Sequence, residues 1–361
     1  TINSLTINNN SGVTFTSSGA ARKITISNSG SIINSGSTLT LQGSTGTGTR
    51  SMTIAFSGSN RTMDIEGTLV LTAVGEGTIY NASYSLTNVS GSIINDGSSS
   101  GTAGSITSTS ANLSFLAGGE YQHARDGGTI PTASWDTEST CNITGVTGTV
   151  PSGLNQSFGN FTWNCTGQSG NILLGASLTT VNGNFTVSST KTSQLILTNG
   201  TANTLTVGKD FSMTGGTLNF NSGTGASVMN VAGNFSHTGG TITETSTGTG
   251  SVVFNGSSAQ TYTSGGTCAN TIHFTVNSGA TLLMANETTV VGNGSNGTFT
   301  LNANGTLGVT SVDGITTTGA TGNIRVSGTR TYTAGANYIY NGINPQAAGN
   351  GLTQNSPVNN L

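Results

Sequence analysis

The chain has 361 residues, of which 55 are glycine and four proline; only 6% are charged, and the net charge is -3, where an ordinary domain carries about 25% charged residues. Nine Lys and Arg in all supply no basic stripe for a phosphate backbone, which excludes nucleic acid as a partner. No run approaches the ~20 apolar residues of a membrane-spanning helix.

Glu, Lys, Arg and Gln are scarce beside Thr, Ser, Asn and Gly, so helix is disfavoured throughout. Polar tracts of this kind are often disordered. Here, however, Val, Ile, Leu and Phe return at every second position, the alternation of half-buried strands. The opening Thr1-Ile2-Asn3 lacks the basic and apolar regions of a secretory leader, so the chain is expected to be a mature product or a segment of something longer. Strands are predicted at Leu39-Thr-Leu41, Met52-Thr-Ile54, Met63-Asp-Ile65 and Leu69-Val-Leu71. Around them Gly30-Ser-Ile-Ile-Asn-Ser-Gly36 returns as Gly91-Ser-Ile-Ile-Asn-Asp-Gly97, an offset that fits three coils of about 20 residues.

Residues 119–157 break the pattern and are expected to form an irregular insertion or long loop. Glu120, Arg125, Asp126, Asp136 and Glu138 fall there, together with Tyr121, His123 and Trp135. The pattern then resumes more clearly. Gly159-Asn-Phe161, Gly183-Asn-Phe185, Gly208-Lys-Asp-Phe211 and Gly233-Asn-Phe235 follow one another at nearly equal steps from glycine to glycine. Within one step lie three short runs, such as Phe185-Thr-Val187, Leu195-Ile-Leu197 and Leu205-Thr-Val207. Further strands are predicted at Ala259-Gln-Thr-Tyr-Thr263, His273-Phe-Thr-Val276, Thr281-Leu-Leu-Met284, Thr298-Phe-Thr-Leu301 and Asn323-Ile-Arg-Val326. Three strands per step at a fixed period predict an all-β, right-handed parallel β-helix (β-solenoid) of about 20–25 residues per coil, continuous over residues 1–361. The closing Val358-Asn-Asn-Leu361 nearly repeats Ile2-Asn-Ser-Leu5, as expected of a segment of a longer array.

Catalytic chemistry has little to work with. Asp64, Glu66, Glu76, Asp210, Glu244, Glu287 and Asp313 are isolated; Asp64 and Glu66 share a strand face, as period-2 spacing dictates for any such pair. His123, Arg125, Asp126, Asp136 and Glu138 are the one set from which a paired-carboxylate hydrolase could be built, against the plainer reading of a charge cluster that pins a loop. A third use is glycan binding, with Tyr121 and Trp135 stacking on sugar rings and His123, Arg125, Asp126 and Asp136 making polar contacts. Cys141 and Cys165 are separated by one ladder step, so they are either a disulfide between stacked strands or two buried thiols; Cys268 has no partner. No metal or cofactor motif is present, whether zinc spacing, calcium-binding Gly-Gly-X-Gly-X-Asp repeats or a phosphate loop.

Asn3-Ser-Leu-Thr-Ile-Asn-Asn-Asn-Ser-Gly-Val13, Val253-Phe-Asn-Gly-Ser-Ser-Ala-Gln260, Tyr338-Ile-Tyr-Asn-Gly342, Pro357-Val-Asn-Asn-Leu361, Gly183-Asn-Phe-Thr-Val187 and the segment from Tyr121 to Trp163 resemble the repeats of very large secreted or cell-surface, adhesin-like proteins of Bacteroidetes. The resemblance implies export by the type IX secretion route through a C-terminal sorting domain, and an extracellular or outer-membrane-attached location. The expected function is a non-enzymatic structural or adhesive rod in an extracellular filament, part of a longer polypeptide or assembly, with surface glycans or other chains of the same fibre as partners. The alternative is a carbohydrate-binding or carbohydrate-active β-helix with its site in residues 119–141.

Overall fold

The computed structural model describes residues 1–44, 50–72, 77–96 and 104–352. These contain no helix, and every strand pairing recorded among them is parallel. The protein is therefore the all-β solenoid that the alternation predicts, with the arrangement of a right-handed parallel β-helix. The chain divides into two compact units, Thr1–Gly170 and Asn171–Leu361. Val358-Asn-Asn-Leu361, Pro357, Glu76 and Gly97 lie outside the described residues.

In Thr1–Gly170 three sheets form the walls. The first runs through Thr6–Ile7, Ser31–Ile33, Arg61–Ile65, Ser85–Val89, Leu113–Phe115 and Ser134–Trp135. The second takes Val13–Thr16, Thr38–Gln42, Thr68–Thr72, Ser92–Asp96, Glu120–His123, Thr140–Ile143 and Asn160–Asn164, and the third Arg22–Ile26, Met52–Phe56, Thr78–Asn81 and Ser105–Thr107. Inward positions are apolar and stacked in register, as in Leu39, Leu69, Ile93 and Tyr121, all fully buried.

The echo of Gly30-Ser-Ile-Ile in Gly91-Ser-Ile-Ile is not a repeat of whole coils. Ser31–Ile33 belongs to the first sheet, beside Arg61–Ile65, whereas Ser92–Asp96 belongs to the second, beside Thr68–Thr72. The phase differs too: Ile33 points inward in one copy, Ile93 in the other. Two adjacent isoleucines allow either to be the inward one, and a shift of one residue exchanges the faces of a strand.

Coils are packed so closely that some corners admit no side chain. A Cβ on Gly91 would stand 2.0 Å from the carbonyl oxygen of Gly67 on the preceding turn. Gly91→Ala is accordingly expected to destabilise the Thr1–Gly170 unit by roughly 2 kcal/mol or more, since rigid backbone must move; an unchanged denaturant midpoint would rule out that close approach.

Asn171–Leu361 has the same plan. One wall is Thr180–Val181, Asn203–Val207, Ala226–Val231, Thr249–Phe254, Ile272–Val276, Phe299–Leu301 and Arg330–Tyr332. The next is Phe185–Ser189, Phe211–Met213, Phe235–His237, Gln260–Ser264, Thr281–Met284, Thr306–Val309 and Asn337–Tyr340; the last is Ile172–Leu173, Leu195–Thr198, Thr217–Asn221, Thr241–Thr243 and Thr267–Cys268. The Gly-Asn-Phe motif explains itself here. Phe185, Phe211, Phe235 and Tyr262 stand in one column, with ring centroids 5.6, 4.8 and 4.9 Å apart. Beside them runs a second column of polar side chains. The Asp210 amide donates to Asn184 Oδ1 (3.0 Å), the Asn234 amide to Asp210 Oδ1 (2.7 Å), and the Thr261 amide to Asn234 Oδ1 (2.8 Å). Each turn thus satisfies a backbone donor of the next, at the position where the motif places Asn or Asp.

Turn length varies more widely than the predicted range of about 20–25 residues per coil. The circuit from Tyr121 to its register partner Cys141 is short, whereas those from Leu39 to Leu69 and from Leu307 to Tyr338 are half as long again. The extra length sits at corners. In the turn from Leu307 to Tyr338 it includes Asn323-Ile-Arg-Val326, which is a corner joined by the single bridge of Ile324 to Val291 and not the predicted strand. Asn323 is the cause. Its buried carboxamide accepts from the Thr310 and Ser311 amides (2.9 and 2.8 Å) and donates to the Thr289 carbonyl (2.8 Å), bonds that hold a turn in place of a ladder.

Candidate functional site

Residues 119–157 are not an insertion. Glu120–His123, Ser134–Trp135 and Thr140–Ile143 are ladder strands, and Tyr121, Cys141 and Phe161 succeed one another across the shortest turns in the unit. The alternation Glu120, Tyr121, Gln122, His123 puts the aromatic and the imidazole inside and the two polar residues outside.

Tyr121 and Trp135 are therefore core residues and offer no stacking surface to a sugar. Trp135 is 9% exposed. Its ring stacks on Phe115 at 4.4 Å and packs against Phe158 at 5.1 Å, and its indole N–H donates to Gln156 Oε1 at 3.2 Å. Tyr121 is fully buried and meets Phe115 edge-on at 6.1 Å; burial pushes its phenol well above the ordinary range.

His123 closes a buried polar chain. Its Nε2 lies 2.7 Å from the Gly127 carbonyl, which can only accept, so Nε2 carries the proton and Nδ1 accepts from the Tyr121 hydroxyl at 3.0 Å. Asn95 Nδ2 donates to that hydroxyl (3.2 Å) and to the Gly104 carbonyl (3.0 Å), which also receives Arg125 Nη1 (3.1 Å). Burial lowers the His123 pKa to about 4, against the opposing pull of the Gly127 carbonyl. Such an imidazole is neutral and fully engaged. Gly128, at φ +76°, leaves room for Arg125, because a Cβ there would lie 2.8 Å from the guanidinium.

The acidic candidates are tied down as well. Asp126 Oδ1 accepts the amides of Thr147, Gly148 and Thr149, each at 2.8 Å. Partial burial works against its charge, but these three donors prevail and hold the pKa at about 2. Asp136 is exposed and caps its own turn through the Glu138 amide (2.9 Å). His123, Arg125 and Asp126 share one corner, whereas Asp136 and Glu138 stand at the turn before Thr140–Ile143. These hydrogen bonds tie the corners of the turns to themselves and to their neighbours.

The cysteine alternative resolves in favour of thiols. Cys141 stands in register with Tyr121 and Phe161, not with Cys165; the short local turn leaves Cys165 beyond the stacking point, which Phe161 occupies. Cys165 Sγ instead contacts the Ile143 carbonyl at 3.5 Å, and Cys141, Cys165 and Cys268 are all free and buried. Burial raises all three thiols, Cys165 and Cys268 to about 12. An aromatic disulfide reagent is expected to titrate three thiols only after denaturation, and non-reducing peptide mapping to find no Cys141–Cys165 bridge. Prompt reaction of the native protein, or a bridged peptide, would contradict this register.

Two clefts lie elsewhere, in Asn171–Leu361. One, of about 240 Å³, is lined by Ala285, Asn286, Glu287, Thr288, Thr310, Asn341 and Ile343; Ile343 is 92% exposed at its mouth and Asn344 Nδ2 donates to Glu287 Oε1 (2.7 Å). The other surrounds Glu244. Sequence reading set both carboxylates aside as isolated, since their neighbours in space are Asn and Thr from other turns. Among the described residues no helix is long and apolar enough to cross a membrane. No protein-family model matches the chain, and no curated protein or solved structure matches it.

Proposed function

We propose that the chain is a non-enzymatic structural or adhesive rod segment of an extracellular or cell-surface fibre. What supports this reading is the outward face of Asn171–Leu361. Thr180, Thr206, Asn230, Val253, Thr275, Thr300 and Thr331 follow one another in register there, without a charge. Turns about 4.8 Å apart present five threonine hydroxyls and the Asn230 carboxamide in one row interrupted by Val253, a surface suited to another hydroxyl-rich surface: a glycan, or a second chain of the same fibre. The similarity of the repeats to large surface proteins of Bacteroidetes adds the export route, type IX secretion, to the proposal. Antibody raised against the chain should label intact source cells, and mild protease shaving should remove the label. Labelling confined to lysed cells would overturn the location, and release of new reducing ends from polysaccharides by the purified chain would overturn the non-enzymatic reading.

A further inference from the structure

Glu244 follows the strand Thr241–Thr243 and is only 2% exposed. Buried carboxylates are almost always paired. This one accepts a single hydrogen bond, from the Ser246 amide, and no Lys, Arg or His among the described residues forms an ion pair with it. It opens on a cleft of about 340 Å³ whose other lining residues are Thr245, Ser246, Asn270, Thr271 and Asn296. Every one of these side chains bears an oxygen, and none is a cation.

The turns align the strongest of these donors. Ile242 faces Cys268 in the last pair of that ladder, Glu244 and Asn270 each stand two residues further on, and the Asn296 amide donates to the Asn270 carbonyl at 2.7 Å, which places Asn296 on the following turn. A carboxylate and two carboxamides thus form a column, evenly spaced along the chain. Asn270 Nδ2 is committed to Thr243 Oγ1 at 2.9 Å, so its Oδ1 is the atom left to accept. Asn296 Oδ1 takes one hydrogen bond, from Ser327 Oγ at 3.1 Å, and keeps a lone pair. Adjacent turns lie about 4.8 Å apart, and two oxygens on opposite sides of a calcium ion, each at ~2.4 Å, are separated by the same distance.

We propose that Glu244 and Asn270, on adjacent turns, bind a hard divalent cation of calcium size, with Asn296, one turn further on, holding a water of its shell. The site escapes a search for acidic clusters, because among the described residues no group of three or more His, Cys, Asp and Glu is suitably placed. Here one carboxylate supplies the charge, and neutral oxygens from neighbouring turns and water complete the shell. A single carboxylate sets the affinity in the ~10⁻⁴–10⁻³ M range of extracellular calcium modules. The proposal stands independently of the fibre reading above.

The test is titration calorimetry of the full chain with calcium chloride in chelator-treated buffer, together with thermal unfolding at matched ionic strength in calcium, magnesium or sodium chloride. Binding in that range and a higher melting temperature in calcium than in sodium chloride are expected. Glu244→Gln should weaken binding at least about tenfold, and Asn296→Asp, which adds a second charge, should tighten it about tenfold. Absence of both heat and a melting shift in the wild-type chain would overturn the site, as would a Glu244→Gln protein that binds as well as wild type. If Glu244→Gln does not fold, Asn296→Asp decides: tighter binding supports the site and unchanged affinity overturns it.

Discussion

Phe211→Asp is expected to cost Asn171–Leu361 about 5 kcal/mol or more. The ring is fully buried between Phe185 and Phe235, at 5.6 and 4.8 Å, so substitution removes two aromatic contacts, leaves a void and puts an unpaired charge in its place. In a stacked array each turn is held by its neighbours, so the loss falls on adjoining turns as well. Phe211→Leu keeps the inward position apolar and should cost only about 1–2 kcal/mol. Denaturant unfolding followed by far-UV circular dichroism distinguishes the two. Equal midpoints for wild type and Phe211→Asp would mean that the phenylalanine column is not the core.

A second large effect is the response to acid. His123 and His237 both have pKa values lowered to about 4 from the ordinary 6.5, in each case by burial and against a carbonyl that accepts from Nε2, that of Gly127 or Gly240. Arg125 lowers the His123 value further, and Asp126 opposes it. Between pH 6.5 and 4 the unfolded chain binds protons that the folded chain refuses, so stability rises with pH across that window and is lost as pH falls. Each histidine contributes up to about 1.4 kcal/mol per pH unit, or roughly 3 kcal/mol over the window. Asp126 acts lower down: its depressed pKa adds stability above the unfolded value, lost as pH falls toward about 2. Unfolding free energies at pH 7, 5.5 and 4.5 should therefore decline steeply, and His237→Gln should flatten the decline. A flat wild-type profile would show that the imidazoles titrate freely and are not buried.

What could be read from the sequence followed the inward positions. Large apolar residues must recur wherever a turn faces its neighbour, so the Gly-Asn-Phe column and strands such as Leu39-Thr-Leu41 were visible as alternation. The 119–157 stretch misled because its charges drew attention from the same alternation. Glu120, Tyr121, Gln122 and His123 obey it, but histidine is not ordinarily counted as a core residue. The choice between a Cys141–Cys165 bridge and two buried thiols could not be made from spacing, because that spacing matches the step of a later region while the local turn, which brings Phe161 over Cys141, is shorter. Glu244 and Asn323 were invisible because their roles depend on corners, where backbone amides and side chains from different turns meet and no periodic signal exists.

Unequal turns also bear on how such a protein can change. Register is kept by what points inward, while one circuit can be as brief as Tyr121 to Cys141 or as extended as Leu307 to Tyr338, so corners are free in length although walls are not. Genetic insertions of a few residues at a corner, such as the stretch between Thr306–Val309 and Arg330–Tyr332, alter the outer contour of one storey and leave the storeys above and below in step. A lineage built on this plan can remodel its exterior locally, without renegotiating the core that every turn shares.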